Sequence, residues 1–169
     1  MHPESVLSLF VGAWSLLNIS STQNGIPNVD PGFGPHPVGL ILYHLDQYMS
    51  AALASTTPED RPQNLTWPYR PAQGDADWAL VGKHSIAYMG PFRLNESVPV
   101  VETEGGVEGQ VVHGPLEVAS LPSFMGTYQR RDFSLLFHEG GRRGGEGTLL
   151  NLKADLGGGA RMSLWWEKI

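Results

Sequence analysis

Apolar and polar positions alternate with a period of two along much of this chain, and glycine or proline breaks the alternation every ten to fifteen residues. That pattern predicts many short strands joined by turns. Residues 5–17 open with helical spacing at Val6, Leu9, Phe10 and Ala13, then turn extended after Gly12 through Trp14, Leu16 and Leu17. Strands are expected over 38–43 and 47–53, then through Ile86, Tyr88, Gly90, Phe92 and Leu94, and over 110–120, 127–137, 148–154 and 160–169. Residues 75–83 suit a short helix with Asp75 as N-cap and Gly82 as terminator. The punctuation falls in the expected loop 23–37, the turns at Gly105-Gly106 and 140–147, and Gly157-Gly158-Gly159. A second long irregular stretch, 55–75, carries Trp67 and Tyr69, so it reads either as a lid or as a surface excursion pinned by two aromatics.

Composition supports this pattern and removes whole classes of function. The 169 residues suit one domain over 1–169. With 21 glycines and 13 prolines the chain is too heavily broken for a helical bundle. Its net charge of −6 gives no basic footprint for nucleic acid. The lack of cysteine excludes disulfides, a thiolate nucleophile and zinc–thiolate or iron–sulfur sites. No apolar run reaches the roughly 18 residues of a membrane span, and residues 1–10 have no basic leader region. A cytoplasmic protein is therefore expected, and the sequons at Asn18, Asn64 and Asn95 are read as chance.

The candidate chemistry is polar and aromatic. The six histidines are scattered, with no metal-ligand spacing, and 140–147 lacks the fingerprint of a nucleotide loop, so no metal and no cofactor are expected. No nucleophile elbow occurs. On an unbroken strand 110–120, His113 and Glu117 share a face, with Val112, Leu116 and Val118 on the other. Arg131 shares its face with Phe133, Leu135 and Phe137. Alternation leaves open whether His113 and Glu117 point into a barrel or out to solvent. Trp165 and Trp166 are adjacent on a strand, so one faces in and one out.

The stretch Phe10–Leu17 with its Gly12-Ala13-Trp14, the segments Pro37–Tyr43 with Gln47–Ala51 and Ile86–Phe92, Val112-His113, the run Pro122–Phe133 and the terminal Leu164-Trp165-Trp166-Glu167-Lys168 follow one another in an order that resembles the lipocalin-like domain family. The resemblance implies an all-β, antiparallel calycin-type barrel with a short N-terminal helix and an internal cavity. It also implies that Trp14 packs near a basic residue, Arg130, Arg131 or Lys168. Where the family often has a second histidine, this chain has Gly114, so a mechanism needing a histidine pair has no support. By analogy with family members and calycin-like proteins of fungal and bacterial natural-product pathways, the expected function is a cofactor-free isomerase or cyclase for an apolar, oxygenated polyketide or terpenoid intermediate. The alternative is a non-catalytic carrier of a small hydrophobic metabolite. His113, Glu117 and Arg131 are the catalytic candidates. Tyr43, Tyr48, Trp67, Tyr69, Tyr88 and Trp165 are the candidates for substrate contact. Barrels of this size often dimerise, which admits a homodimer.

Overall fold

A computed structural model describes residues 3–140 and 146–169. Among these, eleven strands and two α-helices occur: α1 Pro3–Phe10, β1 Gly12–Gln23, β2 Ile26–Asn28, β3 Val38–Tyr43, β4 Tyr48–Ala54, α2 Asp75–Lys83, β5 Ser85–Leu94, β6 Val101–Thr103, β7 Gly106–His113, β8 Val118–Ala119, β9 Gln129–Glu139, β10 Glu146–Gly157 and β11 Ala160–Lys168. Eight strands close antiparallel in the order β1-β3-β4-β5-β7-β9-β10-β11 and back to β1; β2, β6 and β8 are short additions to β1, β7 and β5. The fold is thus the expected all-β barrel. The seam that completes the ring is short: Phe92, Arg93 and Leu94 of β5 face His113, Val112 and Val111 of β7.

Closing a sheet with period-two side chains sends one set of residues inward. That set is Trp14 and Leu16, Ile41 and Tyr43, Met49, Ala51 and Leu53, Tyr88 and Phe92, Val107 and Val111, Phe133 and Leu135, Leu150 and Leu152, and Trp166, all buried. Helix α1 plugs one end of the barrel. Val6 and Phe10, one turn apart on the helix, are fully buried, and the Phe10 ring lies 5.1 Å from Tyr43 and 5.0 Å from Phe133, both edge-on. The helix end is fastened from both sides. Trp14 Nε1–H donates to the Phe10 carbonyl at 2.8 Å. Lys168 Nζ donates to the Leu9 carbonyl at 2.9 Å while lying 5.2 Å from the Trp14 ring centroid. A cation on the last carbonyls complements the helix dipole. Gly12 is favoured here because its φ of +132° is a backbone conformation that residues with a side chain rarely adopt. Of the three basic partners implied for Trp14, the structure places Lys168 there.

Several local expectations need correction. The single strand over 110–120 is two strands, β7 ending at His113 and β8 at Val118–Ala119. Between them Gly114 adopts φ +121°, and a Cβ there would collide with the Thr127 carbonyl. The loop 23–37 includes β2, which pairs with Ser21–Gln23. Helix α2 runs over 75–83 as expected, but its N-cap is Gly74, and Gly82 lies inside the helix before the C-cap His84. Most of the expected turn 140–147 lies outside the described residues.

Truncating Phe10 should show how much the plug contributes. Phe10→Ala should lose about 3–5 kcal/mol of unfolding free energy, read as a lowered denaturant midpoint with an unchanged slope. A Trp14→Phe variant, which removes only the indole N–H and part of the ring, should lose less.

Candidate functional site

Among the described residues, Tyr43, Tyr88, His113 and Arg131, with Gln129 beside the last, break the apolar lining of the barrel. Tyr43 ends β3, Tyr88 lies in the middle of β5, His113 ends β7, and Arg131 follows Gln129 on the inner face of β9. Their strands come together because the seam brings β7 beside both β5 and β9. Tyr43 Oη and His113 Nε2 are 2.8 Å apart and fully enclosed. The His113 ring also lies 6.2 Å from the Tyr88 ring at 34°. The Arg131 charge bears on Tyr43, Tyr88 and His113 together. Its hydrogen bonds go to neutral acceptors, the Arg130 carbonyl at 2.7 Å and Gln129 Oε1 at 3.4 Å.

Burial fixes the protonation of this cluster. Desolvation, with Arg131 adding to it, pulls the His113 pKa down to about 3, so the imidazole is neutral at physiological pH. Desolvation pushes the Tyr43 and Tyr88 phenols up, with Arg131 opposing in each case, so both keep their protons. One cation therefore sits beside three neutral hydrogen-bonding groups. His113 Nδ1 is buried with no hydrogen-bond partner. Whichever tautomer the Tyr43 contact selects, that atom is left unmatched, at a cost of about 1–3 kcal/mol. A ligand atom or an ordered water placed there removes the cost.

The other candidates lie elsewhere. Glu117 is exposed and accepts from the Tyr48 hydroxyl at 2.9 Å on the outer surface. It does not share a face with His113, because the chain leaves the strand at Gly114. Trp67 is 87% exposed, and Tyr69 is half-exposed beside Trp78 at 6.2 Å. The segment 55–75 is held at its base by Ser55 Oγ donating to Asp60 Oδ2 at 2.8 Å and by His84 Nε2 at 3.4 Å from Asp60 Oδ1. It does not cover the polar cluster. Of the two adjacent tryptophans, Trp166 is the buried one and Trp165 lies on the opposite, partly exposed face of β11.

Residues 114–128 form the cover over the cluster. Leu116 is buried, and Phe124 stands edge-on to Tyr88 at 6.2 Å. The segment is laced by Leu116 N–H to the Thr127 carbonyl at 3.0 Å and Gly126 N–H to the Leu116 carbonyl at 2.8 Å. It is tied to β5 by Glu117 N–H to the Met89 carbonyl at 2.9 Å. Gly90 permits this approach, since a Cβ there would lie 2.8 Å from the Pro115 carbonyl. Sequence reasoning did not single out Gln129 or Phe124. Gln129 could have been found, because it shares the Arg131 strand face two residues earlier. Phe124 sits between Pro122 and Gly126, where no periodicity shows which way it points.

Two apolar grooves of about 660 and 640 Å³ run over the outer face of β1, β3, β4 and β5, with Leu40 and Ala52 in one and Leu42 and Met89 in the other. Among the described residues no group of three or more histidine and acidic side chains is arranged to hold a metal ion, and no helix is long and apolar enough to cross a membrane.

The buried imidazole should make stability depend on pH. Unfolded, His113 binds a proton near its ordinary value of about 6.5; folded, it does so only near 3. Between those values unfolding takes up a proton, so this group makes stability rise with pH and fall in acid. Comparing His113→Gln with the parent chain at about pH 4.5 and 6.5 in denaturant should show a shallower acid loss in the variant, by up to about 1.4 kcal/mol per pH unit.

Comparison with curated proteins finds no match, and neither does comparison with solved structures. The model of a family described as the lipocalin-like domain matches residues 11–169, from the residue before β1 to the end of the chain. The closed eight-stranded antiparallel barrel is consistent with this match. The chain belongs to the lipocalin-like domain family.

Proposed function

We propose that this protein binds a small, largely apolar molecule inside the barrel, with an oxygen-bearing group of the ligand meeting Tyr43, Tyr88, His113 and Arg131. A lipocalin-like barrel suits ligands of this kind. The observation that carries the reading is the enclosed polar cluster with its unmatched His113 Nδ1. A core serving stability alone does better with apolar groups or with fully satisfied polar ones. The surrounding Phe92, Phe124 and Phe133 rings offer contact to an apolar body. Access comes with displacement of 114–128, which covers Tyr88 through Phe124 and is not part of the ring of eight strands.

A second reading is catalytic: non-redox isomerisation or cyclisation of an apolar, oxygenated intermediate of polyketide or terpenoid type. The Tyr43–His113 contact favours it, because a phenol and an imidazole 2.8 Å apart can pass a proton between them. Arg131 and Tyr88 would stabilise negative charge developing on a ligand oxygen. The low basicity of His113 makes it a weak base in the empty site, and bound negative charge beside it would raise that basicity. Glu117 takes no part, being engaged by Tyr48 outside the barrel. For these reasons binding stands first and catalysis second.

Native mass spectrometry of the protein with a panel of apolar alcohols, ketones and acids tests binding. We expect one-to-one adducts with the parent chain, weakened in a Tyr88→Phe, His113→Gln double variant that remains folded. Adducts that persist unchanged in that variant would place the ligand elsewhere, with the outer grooves the first place to look. Recovery of the input molecules after incubation separates carrier from catalyst, since an isomerase returns a product of equal mass and altered retention time.

A further inference from the structure

Strand β3 is apolar on both faces. Ile41 and Tyr43 fill the barrel, while Val38, Leu40 and Leu42 point outward and are 54, 48 and 48% exposed. An antiparallel strand with one face in water ordinarily alternates apolar and polar residues. The neighbouring strands continue the departure. Ala52 and Ser50 of β4 stand opposite Leu40 and Leu42, and Ala87 and Met89 of β5 follow them in register. Val118 of β8, paired with Met89, ends the row and is again half exposed. No aspartate, glutamate, lysine or arginine occurs in β3, in β4 or over 85–92 of β5, in a chain whose net charge is −6. The face also has a distinct shape. Val38, Leu40 and Leu42 form a ridge along β3. Beside it the small side chains of Ser50, Ala52 and Ala87 leave a trough, occupied by the two outer grooves of about 660 and 640 Å³. Val81 of α2, which packs beside β5, walls one groove, and Val118 walls the other.

We infer that this outer face is where two copies of the chain meet about a two-fold axis, the β3 ridge of each lying in the trough over β4 and β5 of the other. A two-fold contact uses one patch twice, so the patch must carry both a projection and the hollow that receives it. A ridge of branched side chains one strand spacing, about 4.8 Å, from a trough of small ones meets that condition. The area agrees. With the small residues between them, Val38, Leu40, Leu42, Tyr48, Met89 and Val118 expose on the order of 700 Å², more than the roughly 300–600 Å² of the largest patch on a typical monomer and close to the ~800 Å² each partner buries in a standard interface. The charge selects the same partner. Each copy is acidic, yet this face is neutral, so two copies join here without pressing like charges together. Nucleic acid and anionic membrane surfaces call for basic residues, which the face lacks.

Sedimentation equilibrium of the chain at about 50 µM, above the micromolar dissociation constants of the weaker interfaces of this size, tests the contact. The expected mass is twice the 18.4 kDa of one copy. Leu40→Glu on the ridge and Ala52→Glu in the trough each place an unpaired carboxylate in both halves of the two-fold contact, and each should raise the dissociation constant about a hundredfold or more. Both positions are exposed in the single chain, so the fold is retained. Leu156→Glu alters a similarly exposed leucine of β10, across the barrel from β4, and should leave the dimer intact. A parent chain with the mass of one copy overturns the inference and leaves the face to a partner of another kind. A dimer that persists in both Leu40→Glu and Ala52→Glu, or that Leu156→Glu dissociates equally, overturns it as well.

Discussion

Three residue pairs close this barrel. The pairing of Phe92, Arg93 and Leu94 with His113, Val112 and Val111 turns an open sheet into a ring, and the rest of the molecule depends on that closure. Without it the inward faces of β5 and β7 would be sheet edges, and Tyr43, Tyr88 and His113 would meet water rather than one another. The same seam that removes the edges therefore creates the one polar place in the interior. His113 is both the last residue of the seam and the centre of the cluster.

The position of that residue explains its chemistry. A histidine at the end of a strand usually has solvent within reach. Here the chain turns back immediately at Gly114, and residues 114–128 fold over the opening, so the ring is sealed. Sealing makes the imidazole neutral and holds both phenols protonated. An arrangement of this kind lowers stability in the empty protein. Costs of this sort are tolerated where function needs them, and the helix plug beside the cluster, whose Phe10 ring meets Tyr43 at 5.1 Å, offsets them. There Phe10, Trp14 and Lys168 join helix, first strand and last strand in one fully matched contact.

Much of this architecture can be read from the chain. Strand β3, helix α2 and the alternation through Tyr88 and Phe92 follow from period and punctuation, and the lipocalin-like resemblance rested on ordered short motifs that span the same elements. Tyr43, Tyr88, His113 and Arg131 each stood out as polar groups on strand faces, and the structure assembles them in one place. Parity fails where a strand is interrupted: the count of four from His113 to Glu117 is meaningless once Gly114 leaves the strand, so the two side chains end up on opposite sides of the wall. Parity also cannot choose between neighbours, which is why Trp165 and Trp166 exchange roles. Length and aromatic content left 55–75 as either a lid or a surface excursion, whereas the segment that covers the cluster is 114–128, whose apolar contacts are single residues without a repeat. What chooses between such loops is tertiary packing, in particular the close approach that Gly90 allows.

The claim on which the account rests is that His113 is sealed inside the barrel as a neutral imidazole on Tyr43. Long-range nitrogen–proton NMR spectra of the histidine side chains report ring protonation directly. At about pH 5, well below the ordinary histidine value of about 6.5, His113 is predicted to show the widely separated nitrogen shifts of a single neutral tautomer. Two similar shifts, the mark of an imidazolium, would contradict the sealed neutral site and the ligand reading built on it.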